Sequence, residues 1–379
     1  LPRAVPPEGE ELRRSLGLWV LLFYGLGMIV GAGIYVLVGE VAGQAGMSTP
    51  LAFLAAAALA ALTGLSYAEL VVRHPEAAGE VAYVQQAFAS RVLSTVVGCA
   101  IVLVGIIAAA SIARATGGYL RVYVDVPTWL PGAVLVALFT LIASLGVRQG
   151  AILAAVLSVI EIGGLAVIFV LGADALGTLP ARAGALLPGD ALAWAGVGAG
   201  AFTAFFAFLG FENLVNMAEE TRAPERTVPR ALIAAILISG LIYATIALVA
   251  VLAVPPDKLA ASDAPLCLIV ERAGHDCRTG FSAIALIALA NGVIVEIMLV
   301  ARLAYGMARR GLIPAWIGRV NRRTRVPVLA TVGGGAVIFA LAAAVPLGPL
   351  VAATNAVTPF VFFMVNLALA VLQARDRRR

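Results

Sequence analysis

Glu161, Glu212 and Glu296 each interrupt a long apolar run of the chain, in "LSVIEIGGLAV", "FLGFENLVN" and "GVIVEIMLV". A carboxylate within an apolar segment of that length is expensive to keep and belongs by default to function. For Glu161 two chemistries stand open, the uptake and release of a proton or a structural hydrogen bond to a neighbouring helix. Glu212 follows a glycine-bearing stretch, so it reads equally as a clamp on irregular backbone and as a proton carrier. Glu296 has three readings: counter-charge for a second positive group on a substrate, second proton site, or partner of a nearby arginine such as Arg302.

The backbone offers chemistry as well. "GLGMIVGAGIYV" (residues 25–36) puts Gly25, Gly27, Gly31 and Gly33 inside an apolar run, where each glycine weakens a helix by about 1 kcal/mol relative to alanine. Gly27 and Gly31 form a GxxxG, a spacing that lets two membrane helices approach closely. The tighter group Gly31-Ala32-Gly33 points to unwinding, and the two roles are compatible. An unwound midpoint offers N–H groups at the start of the following half-helix to a carboxylate, and carbonyls at the end of the preceding one to an ammonium. A site of both kinds suits an amino acid. The GxG is no dinucleotide loop, since no strand precedes it.

These groups must be positioned by membrane helices. The chain of 379 residues is 62% hydrophobic and 12% charged, with a mean hydropathy of +1.01, far from the balance of soluble domains. At about 20 apolar residues per crossing, ten spans are predicted near residues 16–40, 50–71, 92–112, 131–147, 151–172, 195–218, 231–254, 281–305, 328–345 and 349–372. Of the 26 Lys and Arg, alternation from a cytoplasmic N-terminus leaves six outside: Arg114, Arg121, Arg182, Lys258, Arg272 and Arg278. The other 20 fall inside, which places both termini in the cytoplasm. Trp19 and Trp316 fall at inner boundaries and Trp129 and Trp194 at outer ones, as interfacial anchors do. The basic excess is thus accounted for by topology, and no nucleic-acid partner is needed; the partner it implies is the lipid bilayer.

The predicted fold is all-α and polytopic, a single membrane domain over 1–379. It comprises a cytoplasmic tail (1–15), a five-span half (16–172), a second five-span half (195–372) and a tail (373–379). Because five is odd, the second half crosses in the opposite sense, an inverted repeat. Span 1 then corresponds to span 6, "WAGVGAGAFTAFFAFLGFENLVN", which is again glycine-bearing (Gly196, Gly198, Gly200, Gly210). Interrupted spans at matching positions of two halves are the best sequence pointer to a transporter's binding site.

Enzyme chemistry finds no support. His74 and His275 fall in loops, no Ser/His/Asp set shares a span, and there is no P-loop. Cys99 lies in an apolar run, while Cys267 and Cys277 share one polar loop. No metal-ligand spacing is present, and the loop pair is expected as free thiols, with a disulfide the alternative on an oxidising side. The loop "EETRAPERTVPRA" reads as an inner-gate hinge or as an ordinary solvated loop.

Four stretches carry a family likeness: "GMIVGAGIYVLVGEVAGQAGMSTPLAFLAAAALAALTGLSYAELVVRHPEAAGEVAYV", "AFFAFLGFENLVNMAEETRAPERTVPRAL", "RLAYGMARRGLIP" and "VNRRTRVPVLAT". Together they resemble the amino acid, polyamine and organocation (APC) transporter superfamily, most of all its bacterial amino acid permeases. The resemblance implies the five-plus-five inverted-repeat fold shared with sodium-coupled amine transporters, alternating access, and no cofactor. It also implies a substrate carboxylate at the backbone of Gly31, Ala32 and Gly33, and an ammonium at carbonyls near Ile29, Phe206 and Leu209. Phe206 would be the aromatic lid, flanked by Phe205 and Ala207 in the pocket wall, and Glu296 falls where arginine and agmatine antiporters place a pocket residue.

Three departures stand out. The chain shows ten spans where many relatives have twelve, Gly79-Glu80 replaces the usual paired glycines opening span 3, and Glu161 stands where relatives often carry a lysine in the middle of span 5. Span 8 has hydroxyls only at its ends, Ser282 and Tyr305, so the hydroxyl-based sodium site of the sodium-coupled cousins is not expected. The expectation is secondary active transport of an amino acid across the plasma (inner) membrane. Coupling is to protons through Glu161, with Glu212 or Glu296 assisting. The alternatives are a cationic amino acid or polyamine carrier or exchanger, and a non-transporting amino acid sensor.

Overall fold

The computed structural model describes residues 12, 14–31, 33–121, 123–262, 264–345 and 347–377. Among them, eight helices are long and apolar enough to cross a membrane, and two further apolar helices, Trp129–Leu145 and Val328–Ala344, are shorter. Each of these two has 17 residues, about 25 Å of helix, at the lower limit for a crossing. They are spans 4 and 9, equivalent positions of the two halves.

In chain order, span 1 is split into Leu18–Val30 and Gly33–Ala45, and span 2 is Thr49–Arg73. A linker helix, Gly79–Phe88, leads to span 3, Arg91–Leu120, and span 5 is Val147–Gly172. Span 6 is split into Ala191–Phe205 and a tighter 3-10 helix, Phe211–Glu220. Span 7 is Pro224–Ala253, span 8 is Cys277–Arg309, and span 10 is Leu347–Asp376. Equivalent spans of the two halves pack on one another: 1 on 6, 2 on 7, 3 on 8 and 4 on 9. The ten-span inverted arrangement expected from the hydropathy is therefore the observed fold.

Side chains facing outward along the bundle are apolar, among them Leu138, Leu141, Val170, Leu241 and Phe363. Such a surface requires hydrocarbon, not water, as solvent. Trp19, Trp129, Trp194 and Trp316 are all exposed, as anchors at a membrane boundary should be.

One end of the bundle, here the basic end, gathers the start of span 1, the linker helix and the ends of spans 6, 8 and 10. Leu16 forms a parallel bridge with Thr221. The N–H groups of Ser15 and Leu16 donate to Glu220 O at 2.9 and 3.0 Å, and Arg222 N–H donates to Leu16 O at 2.9 Å. Arg309 pairs with Glu219 at 3.0 Å, Arg310 with Glu76, and Arg73 with Asp376 at 2.6 Å.

At the opposite end, Cys267 and Cys277 are joined in a disulfide, which corrects the expectation of free thiols. The short helix Cys267–Arg272 turns the chain back and brings the two Cα atoms to 5.4 Å, well within bridging distance. Arg272 pairs there with Asp174 at 2.9 Å.

Candidate functional site at the paired helix breaks

Helix Leu18–Val30 stops at Gly31, whose N–H donates back to Gly27 O at 3.3 Å. Ala32 lies outside the described residues, and helix resumes at Gly33. In span 6, helix gives way after Phe205 to a single 3-10 turn, Phe206–Phe208. Gly210 follows with φ of +114°, a backbone region that L side chains rarely adopt. A Cβ there would also come within 3.1 Å of Met28 O, so conformation and space both call for glycine.

The two breaks touch. Gly33 packs on Ala207, whose Cα would lie 3.3 Å from a Cβ at Gly33. Tyr243 of span 7 places its hydroxyl within hydrogen-bond reach of both Ile29 O and Ala207 O, 2.9 Å from the latter. The structure thus assembles Ile29, Gly31, Gly33, Phe205, Phe206, Ala207 and Leu209 around one locus. Phe206 is half-buried and meets Phe202 edge-on at 5.7 Å, while Phe205 meets Phe362 of span 10 at 6.3 Å. Tyr243 was not singled out from the sequence. Its signal was available: a phenol inside an apolar span must bring its hydroxyl to a partner.

Glu212 closes the second break. Its Oε2 accepts from Gly210 N–H at 2.8 Å, so the carboxylate caps the first turn of Phe211–Glu220 as an N-terminal acid does. Glu212 and Glu296 also line a common cavity of about 40 Å³, together with Glu80 of the linker helix. Glu80 is fully buried. Its Oε1 accepts from Asn216 Nδ2 at 3.2 Å, and Asn216 Oδ1 in turn accepts from Gly79 N–H at 3.1 Å. Burial pushes the Glu80 carboxyl from its ordinary 4.5 up to about 8. In the sequence Glu80 stands out only as a departure from paired glycines, because it lies outside the long apolar runs that mark an acid as costly.

Glu161 stands apart from that cavity. It is fully buried between spans 1, 5 and 8, beside Asn291 but without a well-formed hydrogen bond to either carboxylate oxygen. Its backbone carbonyl accepts from Tyr35 at 3.2 Å. One turn earlier, Ser158 Oγ accepts from Asn291 Nδ2 at 3.2 Å. Gly27 fits against this pair: a Cβ would fall 1.8 Å from Ser158 Oγ and 2.2 Å from Asn291 Nδ2.

Two sequence readings are corrected here. Arg302 does not pair with Glu296. It makes a two-pronged pair with Glu220, Nε to Oε2 at 3.0 Å and Nη2 to Oε1 at 3.1 Å, and donates from Nη1 to Met298 O at 3.0 Å. Both partners are 0% exposed, so "EETRAPERTVPRA" opens on a buried lock and is not an ordinary solvated loop.

Residues 16–379 match the family model described as "Amino acid permease". The branched-chain amino acid permease BcaP of Bacillus subtilis is 26% identical, over 97% of this chain and 83% of that protein. The vacuolar cationic amino acid transporter 2 of Arabidopsis thaliana is 28% identical over 97% of this chain, which spans 61% of that longer protein. An uncharacterized transporter of Mycobacterium tuberculosis is 31% identical over 90% of this chain and 76% of its own length. Among solved structures, a Na⁺-coupled sialic acid symporter in a substrate-bound outward-open state aligns with a TM-score of 0.64 at 12% identity, covering 95% of this chain and 78% of that one. MhsT in complex with L-phenylalanine aligns with a TM-score of 0.63 at 18% identity, covering 94% and 89%.

Proposed function

From the premise that this chain belongs to the amino acid permease family of the APC superfamily, a family of membrane transporters and not of enzymes, we propose that its paired breaks bind an amino acid and carry it by alternating access with protons as the coupling ion. The observation that carries the reading is the meeting of two half-helix pairs at Gly33–Ala207 and Gly210–Met28. The helix starting at Gly33 directs free N–H groups and its positive dipole end toward a substrate carboxylate. The single hydroxyl proton of Tyr243 goes to one of the Ile29 and Ala207 carbonyls at a time, so lone pairs on both are left for the ammonium.

Proton coupling rests on Glu161, with Glu212 and Glu296 assisting. Glu161 is the buried acid at the contact of spans 1, 5 and 8, and no cation is paired with it among the described residues. A carboxylate kept out of water without a counter-charge is stable only in its neutral form, as a proton carrier must be for half its cycle. The single membrane domain lies in the plasma membrane with both termini in the cytoplasm, a placement supported by the basic end and by a disulfide at the other. A cationic substrate is the second reading, favoured by Glu296, whose Oε2 has no partner among the described residues.

The test is uptake of a labelled amino acid panel into proteoliposomes under an imposed proton or sodium gradient. An inward proton gradient should drive accumulation of at least one neutral amino acid, and Glu161→Gln should abolish that drive. Acceleration by sodium and not by protons would overturn the coupling. Binding without uptake of any panel member would make the protein a sensor.

A further inference from the structure

The cavity beside the breaks has a composition that needs an occupant. Its lining includes Glu80, Glu212 and Glu296, while Ile101, Val104, Leu299, Val361 and Phe362 supply apolar wall and no Lys, Arg or His takes part. Arg302, the cation of the neighbouring span 8 turn, is consumed by Glu220. Glu80 is 0% exposed and its Oε2 has no partner among the described residues, as is true of Glu296 Oε2. Three ionised carboxylates around one small buried space would repel one another in a low dielectric and could not all stay charged.

What neutralises them is limited by size and arrangement. A volume of about 40 Å³ holds about three or four waters at roughly 10–15 Å³ of such space each, and takes in an alkyl-ammonium or guanidinium chain only if the surrounding spans move apart. Among the described residues, no three acidic, His or Cys side chains are placed to hold a metal ion. Protons and water fit both limits.

We propose that Glu80, Glu212 and Glu296 form a hydrated proton store next to the substrate locus, with Glu80 Oε2 as the atom that gains and loses the proton. This rests in part on the transport reading, since a store has use only where protons are coupled. The step involves only an O–H bond: Glu80 Oε2–H passes its proton to cavity water, and water passes one on to Glu212 or Glu296. Asn216 fixes the direction. Because its Oδ1 is occupied by Gly79 N–H, its amide donates to Glu80 Oε1 in both protonation states, and exchange is left to Oε2. An ionised Glu80 faces Glu212 and Glu296, so proton loss strains the packing of the linker helix on span 6 and favours release of the basic end.

The groups facing Glu80 are Glu212 and Asn216 on span 6, Glu296 on span 8, Tyr67 on span 2, Thr358 on span 10 and Tyr83 on its own helix. Nearby cations look elsewhere: Arg310 toward Glu76 and Gln85, and Arg375 toward Gln86 O. Since folding raises the Glu80 value from 4.5 to about 8, its favourable contribution is complete below about 4.5 and is lost as pH rises through about 8.

The test uses purified full chain and no substrate, so it is independent of whether an amino acid is carried. Thermal unfolding and pH-difference infrared spectra of carboxyl groups are recorded for wild type, Glu80→Gln and Glu296→Gln between about pH 5 and 9. The wild type should lose melting temperature and a protonated-carboxyl band toward the alkaline end. Glu80→Gln should lose one component of that band and melt with a flatter pH profile. Glu296→Gln, which removes one neighbouring carboxylate of the cavity, should keep the Glu80 component and move its midpoint to lower pH. An unchanged band and profile in Glu80→Gln overturns the proposal; if that variant does not fold, an unmoved midpoint in Glu296→Gln does so.

Discussion

Span 8 buries charge in two ways about 9 Å apart along its axis. At Arg302 the charge is matched by Glu220 through two hydrogen bonds, with a third from Arg302 to Met298 O. At Glu296 a carboxylate shares a cavity with Glu80 and Glu212 and meets no cation among the described residues. The first arrangement holds two elements in fixed register, since separating the pair would strand both ions. The second cannot be permanent in charge, because its cost is relieved only by something that comes and goes.

The largest effect should come from breaking the matched pair. Arg302→Met strands the Glu220 carboxylate in a site with no exposure and is expected to cost about 3–5 kcal/mol, read as a fall in melting temperature in detergent. Adding Glu220→Leu should recover most of it. If the double variant melts no higher than the single, the pair is not a compensated lock and the contrast with Glu296 collapses.

A smaller effect should follow at the uncharged polar contact of spans 1, 5 and 8. Gly27→Ala drives a methyl into Ser158 and Asn291 and is expected to cost about 2 kcal/mol by overpacking, with Ser158→Ala as partial rescue. Equal loss with and without the rescue would mean that Gly27 matters for backbone freedom and not for closeness. The smallest belongs to Tyr243→Phe, which takes a hydroxyl from Ile29 O and Ala207 O. Stability should fall by about 1 kcal/mol, and uptake kinetics should show a raised KM with kcat little changed. A fall in kcat with KM intact would move Tyr243 from holding the ground-state site to acting in the conformational step.

The sequence carried the ten spans because lipid imposes a length and polarity that no short-range signal can imitate. Even the two 17-residue spans were legible. The breaks were legible too, since glycine clusters at matching positions have few other uses. Pairings were not. Glu220 and Arg302 lie far apart in sequence, and nothing in "EETRAPERTVPRA" distinguishes a buried acid from a solvated one. Arg302 was therefore offered to Glu296, which is close in sequence but points into the cavity. Cys267 and Cys277 were misread for the same reason: their meeting depends on one short helix turning back. Glu80 is illegible for a related reason: it lies outside the apolar runs, and only the packing of its short helix on span 6 buries it.

The bridge between Leu16 and Thr221 differs in kind from the side-chain pairs above. It is made by main-chain groups alone, through Ser15, Leu16 and Arg222 N–H and the carbonyls of Glu220 and Leu16. Every residue except proline offers the same donors and acceptors. The short segment ahead of span 1 therefore tolerates neither shortening nor a proline, whatever its side chains: what is inherited there is a length.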